Sequence, residues 1–132
     1  MVVPVADLGR HIRPKLPQRS KESGRVPDRR EGNHADASES VERKRLAGFR
    51  RAGVKRLSFG IQSFQAALLT TLGRVHGPDD ARAAIAAARA AGFDDLNLDL
   101  IFAVPGESRA DWEADVAEVL RWAPEHVSAY NL

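Results

Sequence analysis

With 132 residues and 43% apolar side chains, the chain fits one ordinary domain and is too short for a complete eight-fold α/β barrel of roughly 200 residues or more. Zero cysteines exclude disulfides, thiolate zinc sites, cysteine nucleophiles and any iron–sulfur cluster held by cysteine thiolates of this sequence. The formal net charge of +2 is unevenly spread: residues 1–30 carry eight basic and three acidic groups, the remainder twelve and fifteen.

No apolar run approaches the roughly 18 residues of a membrane span, and the N-terminus lacks the apolar core of a secretory signal. The expected compartment is therefore cytoplasmic. Residues 1–38 contain Pro4, Pro14, Pro17 and Pro27 among scattered arginines, with no lasting hydrophobic period, and are expected to be disordered. RPKLPQRSK and PDRR offer phosphate contacts to nucleic acid or an acidic membrane. Against nucleic acid stands the lack of an aromatic residue to stack on bases and of an amphipathic stripe.

From Glu39 onward the texture becomes that of a folded domain, residues 39–132. Ser40 is placed to cap a helix with Val41, Leu46 and Phe49 on one side and Gly53 at its stop. Val54 to Ile61 reads as a strand, and a short helix is expected around Ala66 to Leu72. Pro78, Asp79 and Asp80 open an alanine-rich helix that stops at Gly92. Leu96 to Val104 is the second strand. Ser108 and Asp111 form a capping-box start to a helix with Trp112, Val116, Val119 and Leu120 on one face, and Pro124 ends it. His126 to Leu132 is a third strand.

Strands and helices alternating in this way make an α/β fold with a parallel sheet. Leu57, Phe59 and Ile61 alternate with Ser58, Gly60 and Gln62, and Leu96, Leu98 and Leu100 alternate with Asn97 and Asp99. Parallel strands covered on both faces read as continuous apolar runs, so one polar face per strand points instead to a barrel wall with a ligand-holding interior.

In such barrels the working groups sit at the carboxyl ends of strands and in the loops that follow. These positions are Gln62 and Ser63, then Asp99, then Pro105, Gly106 and Glu107. The Gln62 amide, able to donate and accept, suits reading a nucleoside or a carboxylate, or capping a helix. Asp99, between Leu98 and Leu100, needs a partner: a ligand hydroxyl, or Arg56 or Arg74 in an ion pair. Arg74 could clamp a carboxylate bidentately. His76 has no second ligand at metal spacing and is assigned no role, and Trp112 and Trp122 are expected to pack in the core.

Taken together, GVKRLSFGIQSF (53–64), LGRVH (72–76), ARAAGFDDLNLDLIFAVPGE (88–107) and PEHVSAYNL (124–132) resemble the radical S-adenosylmethionine proteins of the oxygen-independent coproporphyrinogen III oxidase and heme chaperone group. The resemblance covers residues 42–132, and HVSAYNL is more similar to the heme chaperone branch. It implies a partial (β/α) TIM-like barrel, S-adenosylmethionine and a 4Fe-4S cluster as cofactors, and heme or a porphyrin as partner. By the same resemblance Gln62, Arg74 and Asp99 match residues that contact S-adenosylmethionine. Glu31, in Glu31-Gly32-Asn33-His34, is matched to the glutamate of a Glu-Ala-Asn-Pro block, although the strand that should precede it reads GRVPDRR here.

The departure is the absent Cys-x-x-x-Cys-x-x-Cys loop, whose thiolates hold the cluster in that family. The chain is therefore expected to be an incomplete barrel, inactive by itself, with its first 38 residues unrelated to the rest, as a shifted reading frame of GC-rich DNA would give. The alternatives are a non-catalytic binding or assembly module derived from the barrel, completed or not by another chain, and nucleic-acid binding through the basic N-terminus.

Overall fold

A computed structural model describes residues 2–3 and 32–132, with side chains from Glu42 onward. In chain order the elements are β1 (Val2–Val3), α1 (Gly32–Arg51), β2 (Arg56–Gln62), α2 (Ala66–Thr71), α3 (Pro78–Ala90), β3 (Asp95–Phe102), α4 (Arg109–Arg121) and β4 (His126–Asn131). The strands pair in parallel and stand in the sheet in the order β1-β2-β3-β4. Each unit of strand and helix thus lays its next strand beside the last, as in a barrel wall, with none of the order reversal of a doubly wound sheet.

The alternation in the sequence decides which face is which. Leu57, Phe59 and Ile61 of β2 and Leu96, Leu98 and Leu100 of β3 are all buried. They form one cluster with Leu46 of α1, Ile85 of α3 and Val119 of α4. All three long helices therefore cover the same side of the sheet, and Ser58, Asn97, Asp99 and Ser128 line the other.

Punctuation follows the expected chemistry. Pro78 and the acidic pair Asp79 and Asp80 occupy the first turn of α3, and Asp80 Oδ2 accepts the Gly77 N–H at 2.7 Å. Ser108 Oγ accepts the Asp111 N–H at 3.1 Å while Asp111 Oδ2 accepts the Ser108 N–H at 2.8 Å, which completes the capping box of α4. Trp112 and Trp122 pack against the core, and Trp112 meets Phe102 with ring centroids 5.5 Å apart.

Two charged ties lock the helices in place. Glu125 accepts the Leu96 N–H at 2.8 Å at the start of β3 and is gripped by both terminal nitrogens of Arg89. The Leu96 N–H, and then Arg89, hold its carboxyl below the ordinary carboxylate range. Arg82 on α3 meets Glu118 on α4 bidentately at 2.5 and 2.8 Å. Hydrogen bonding to Arg82 holds the Glu118 carboxyl low in the same way, despite a smaller opposing effect of burial.

The elements depart from expectation in three places. α1 opens at Gly32, well before Ser40, since Ala35, Ala37 and Glu39 favour helix and no proline separates them from Leu46. Val2 and Val3, expected to lack regular structure, pair with Ser58 and Phe59, where β-branched residues suit the edge of β2. Leu120 is 66% exposed, while Asp115 on the same helix is fully buried, because donors from the loop after β2 satisfy its carboxylate. Residues 4–31, including the RPKLPQRSK and PDRR segments, lie outside the described residues.

Candidate functional site

Register brings the polar side chains into contact across three strands. Ser58 is paired with Asn97, Gly60 with Asp99, and Asp99 with Ser128. Since parallel partners share a face, their side chains meet. Asn97 sits at the centre, 4% exposed: its amide nitrogen donates to Ser58 Oγ at 2.9 Å and Asp99 Oδ1 at 2.6 Å, and its Oδ1 accepts from Ser128 Oγ at 3.1 Å. Ser58 Oγ donates in turn to Asp99 Oδ2 at 3.2 Å.

Asp99 is therefore held by two neutral donors and by no cation among the described residues. This corrects the expected alternative of an ion pair. Arg56 faces Asp95, its register partner at the amino end of the strands, at 3.8 Å. His126 approaches the same Asp95 oxygen at 3.5 Å. The half-buried Asp99 carboxylate keeps lone pairs for a further donor, as a ligand hydroxyl would supply.

Gln62 ends β2 with a left-handed backbone, φ 70°, beside a register shift against β3. A non-glycine residue held there stores of order 1–3 kcal/mol of strain, so the surroundings must impose it. Its side chain turns back over Gly60: a Cβ added at Gly60 would lie 2.8 Å from Gln62 Nε2. Gly60 is the register partner of Asp99, so the glutamine amide lies over the β2 position next to Asp99. Ala103, immediately after β3, carries a second positive φ of 63° at the same end of the sheet.

The loop between α2 and α3 leans on this end. His76, 7% exposed, bonds through Nε2 to the Ile61 carbonyl at 3.2 Å, directly before Gln62. A carbonyl only accepts, so Nε2 carries the proton. Arg74, two residues earlier, is exposed and its guanidinium has no ion pair among the described residues. The loop after β3 turns at Gly106, φ 87°, where Glu107 accepts the Val104 N–H at 3.2 Å.

Of the residues expected to form a site, Gln62 and Asp99 stand at neighbouring positions of adjacent strands, and Arg74 stands on the loop that His76 anchors to Ile61. Glu31 lies outside the described residues. Sequence reading missed the buried Asp115, which fastens the loop after Gln62, and the contact of His76. A charged residue three after Trp112 and four before Val119, inside an apolar stripe, was the available signal for Asp115.

The sequence pattern of the Radical SAM superfamily matches residues 23–119. The chain belongs to that superfamily. Within it the chain is 39% identical over 93 residues to the heme chaperone HemW of Escherichia coli, covering 70% of this chain and 25% of that protein. It is 46% identical over 87 residues to the heme chaperone HemW of Mycobacterium tuberculosis, covering 66% and 22%. The solved structure of the coproporphyrinogen III oxidase HemN from Escherichia coli, a radical SAM enzyme, superposes with a TM-score of 0.61 at 27% identity, covering 67% of this chain and 20% of that one. The chain thus falls in the heme chaperone and coproporphyrinogen oxidase group of radical SAM proteins, and its fold is an arc of their TIM-like barrel. It spans about a quarter of the length of these curated relatives.

The superfamily implies two groups, and the residues present treat them differently. A 4Fe-4S cluster needs thiolates, and the sequence has none. Nor do the described residues contain three or more His, Cys, Asp or Glu side chains grouped to hold a metal ion. The donor set here does not fit a cluster. S-Adenosylmethionine asks for different chemistry, an acceptor for ribose hydroxyls and polar groups for its amino-acid end, and the Asp99 face has that character. No helix of the described residues is long and apolar enough to cross a membrane.

Proposed function

We propose that the polar face of β2 and β3 is the S-adenosylmethionine-binding half of a heme-handling radical SAM protein. The observation that carries this reading is Asp99: a carboxylate with no cation partner among the described residues, steered by Asn97 and Ser58, with the Gln62 amide folded over Gly60, its register partner. In this reading Asp99 accepts from the ribose hydroxyls, Gln62 contacts the nucleoside or the carboxylate, and Arg74 grips the carboxylate of the amino-acid end. A carboxylate accepting from hydroxyls gains specificity as well as energy, since charge-assisted hydrogen bonds are about twice as strong as neutral ones.

The higher identity to heme chaperones than to the oxidase favours a parent role in heme delivery over porphyrin oxidation, with heme as the partner. Binding and cleavage separate in this chain. With no thiolate to hold a cluster, it binds S-adenosylmethionine without cleaving it unless another chain supplies the cysteines.

Isothermal titration of the purified chain with S-adenosylmethionine tests the reading. Asp99→Asn removes the charge and keeps the shape, and is expected to weaken binding about tenfold or more, as loss of a charged hydrogen bond does. Equal affinity of the two proteins, or no binding by either, refutes the assignment. Anaerobic iron and sulfide reconstitution followed by assay for 5′-deoxyadenosine should give none, and its appearance would overturn the separation of binding from cleavage.

A further inference from the structure

Gln62 poses a physical question that its own contacts do not answer. Its left-handed backbone is unfavourable for a residue with a Cβ, and its side chain makes no hydrogen bond to another described residue, so its conformation must be imposed from outside. Two buried groups flank it. On the amino side, His76 Nε2 donates to the Ile61 carbonyl at 3.2 Å. On the carboxyl side, Asp115, fully buried on α4, accepts from Ser63 Oγ at 2.5 Å, from the Phe64 N–H at 3.0 Å and from Gln65 Nε2 at 3.0 Å. Ser63 Oγ also accepts the Gln65 N–H at 2.9 Å, so the three residues after Gln62 form one closed set of bonds around a single carboxylate.

Neither group has an evident purely packing purpose. A carboxylate at the centre of an apolar helix stripe costs desolvation that a leucine would avoid, and here three donors from the loop after β2 offset that cost. His76 likewise keeps its second nitrogen, Nδ1, buried with no partner, which an apolar side chain of similar size would not do. Asp115 is itself braced: Arg82 lies over the Phe64 ring at 5.6 Å and is bonded to Glu118, nearly one turn beyond Asp115.

We propose that Asp115 and His76 are positioning residues which together fix the backbone on either side of Gln62 and so set its amide over Gly60 beside Asp99. Asp115 acts at a distance, through the loop, on whatever this face binds. The proposal rests on the S-adenosylmethionine reading for the ligand that reports on Gln62; the hold of Asp115 on the loop is tested without it.

The test uses the full chain and two measurements. Hydrogen exchange of the Phe64 amide, followed by NMR, reports the loop, with the β3 amides as internal reference. Affinity for S-adenosylmethionine reports the site. Asp115→Asn is expected to speed Phe64 exchange about tenfold or more while leaving β3 amides unchanged, and to weaken binding by a similar factor, as loss of a charged acceptor does. The decisive step is the pairing with Gln62→Ala: if Asp115 acts through Gln62, the double variant binds no more weakly than Gln62→Ala alone.

Full additivity of the two losses, or unchanged Phe64 exchange in Asp115→Asn, overturns the proposal. Should Asp115→Asn fail to fold, Ser63→Ala removes one member of the set more gently and is read by the same two criteria. His76→Phe removes the second pin and is expected to show the same non-additivity with Gln62→Ala. If the unaltered chain binds no S-adenosylmethionine, the functional reading fails, and the exchange arm still decides whether Asp115 holds the loop.

Discussion

Removing the Arg82–Glu118 bridge should loosen α3 from α4 by an amount that can be worked out beforehand. The guanidinium and carboxylate meet through two bonds, and Glu118 is only 12% exposed while Arg82 is 40% exposed. Two unit charges about 4 Å apart attract by about 4 kcal/mol at an effective dielectric constant near 20. Desolvation of the carboxylate and immobilisation of the arginine oppose most of this, so the net coupling for a half-buried bidentate pair should be about 1–2 kcal/mol. Arg82 also bonds Asp79 and covers Phe64, so a single substitution overstates the pair.

A double-mutant cycle of Arg82→Met and Glu118→Gln, read by urea unfolding, removes those extra losses. The pH dependence supplies the second signature. The Glu118 carboxyl is held below its ordinary 4.5 by Arg82, so the unfolded chain takes up its proton first as pH falls. The coupling should be fully present above the ordinary value and be lost as pH drops through the lowered folded value. A coupling below about 0.3 kcal/mol at neutral pH would place this pair with ordinary exposed bridges and refute the estimate. The same coupling at about pH 2 as at neutrality would refute the charge account altogether.

Leu98→Ala, at a fully buried position in the middle of β3, should cost about 3 kcal/mol in the same unfolding assay, and a loss under about 1 kcal/mol would mean that the core does not centre there. Gly60→Ala places a methyl group where the Gln62 amide now lies, and that amide, at the end of a flexible side chain, can swing away. Stability should change by less than about 1 kcal/mol, since alanine also relieves the entropic cost of a strand glycine. Affinity for S-adenosylmethionine, measured calorimetrically, should fall about tenfold, as when a polar contact is lost, and unchanged affinity would remove Gln62 from the site.

What the sequence made readable was what depends on local pattern. Alternation along LSFGIQ and LNLDL told the apolar face from the polar one, because strand side chains alternate whatever their neighbours are. Ser108 with Asp111, and Pro78 with two aspartates, announced helix starts through the chemistry of unpaired amides. The polar positions on β2 and β3 were visible for the same reason, which put Gln62 at the end of β2 and Asp99 on the polar face of β3.

What escaped was set by contacts between residues far apart in the chain. That Asp115 is buried on α4 while Leu120 is not depended on donors some fifty positions earlier, in Ser63 and Phe64. Asp99 was offered arginines as partners, and its real neighbours Ser58 and Asn97 followed only from strand register. The left-handed backbone of Gln62 had no local sign at all, since glycine or asparagine is the usual residue there.

The division of β3 into two independent faces has an evolutionary corollary. Leu96, Leu98 and Leu100 pack against the helices and the apolar side of β2, while Asn97 and Asp99 bond each other and their strand neighbours on the opposite face. Drift on one set need not be compensated on the other. A lineage built on such a wall can exchange the molecule it recognises one residue at a time while its packing stays under separate selection.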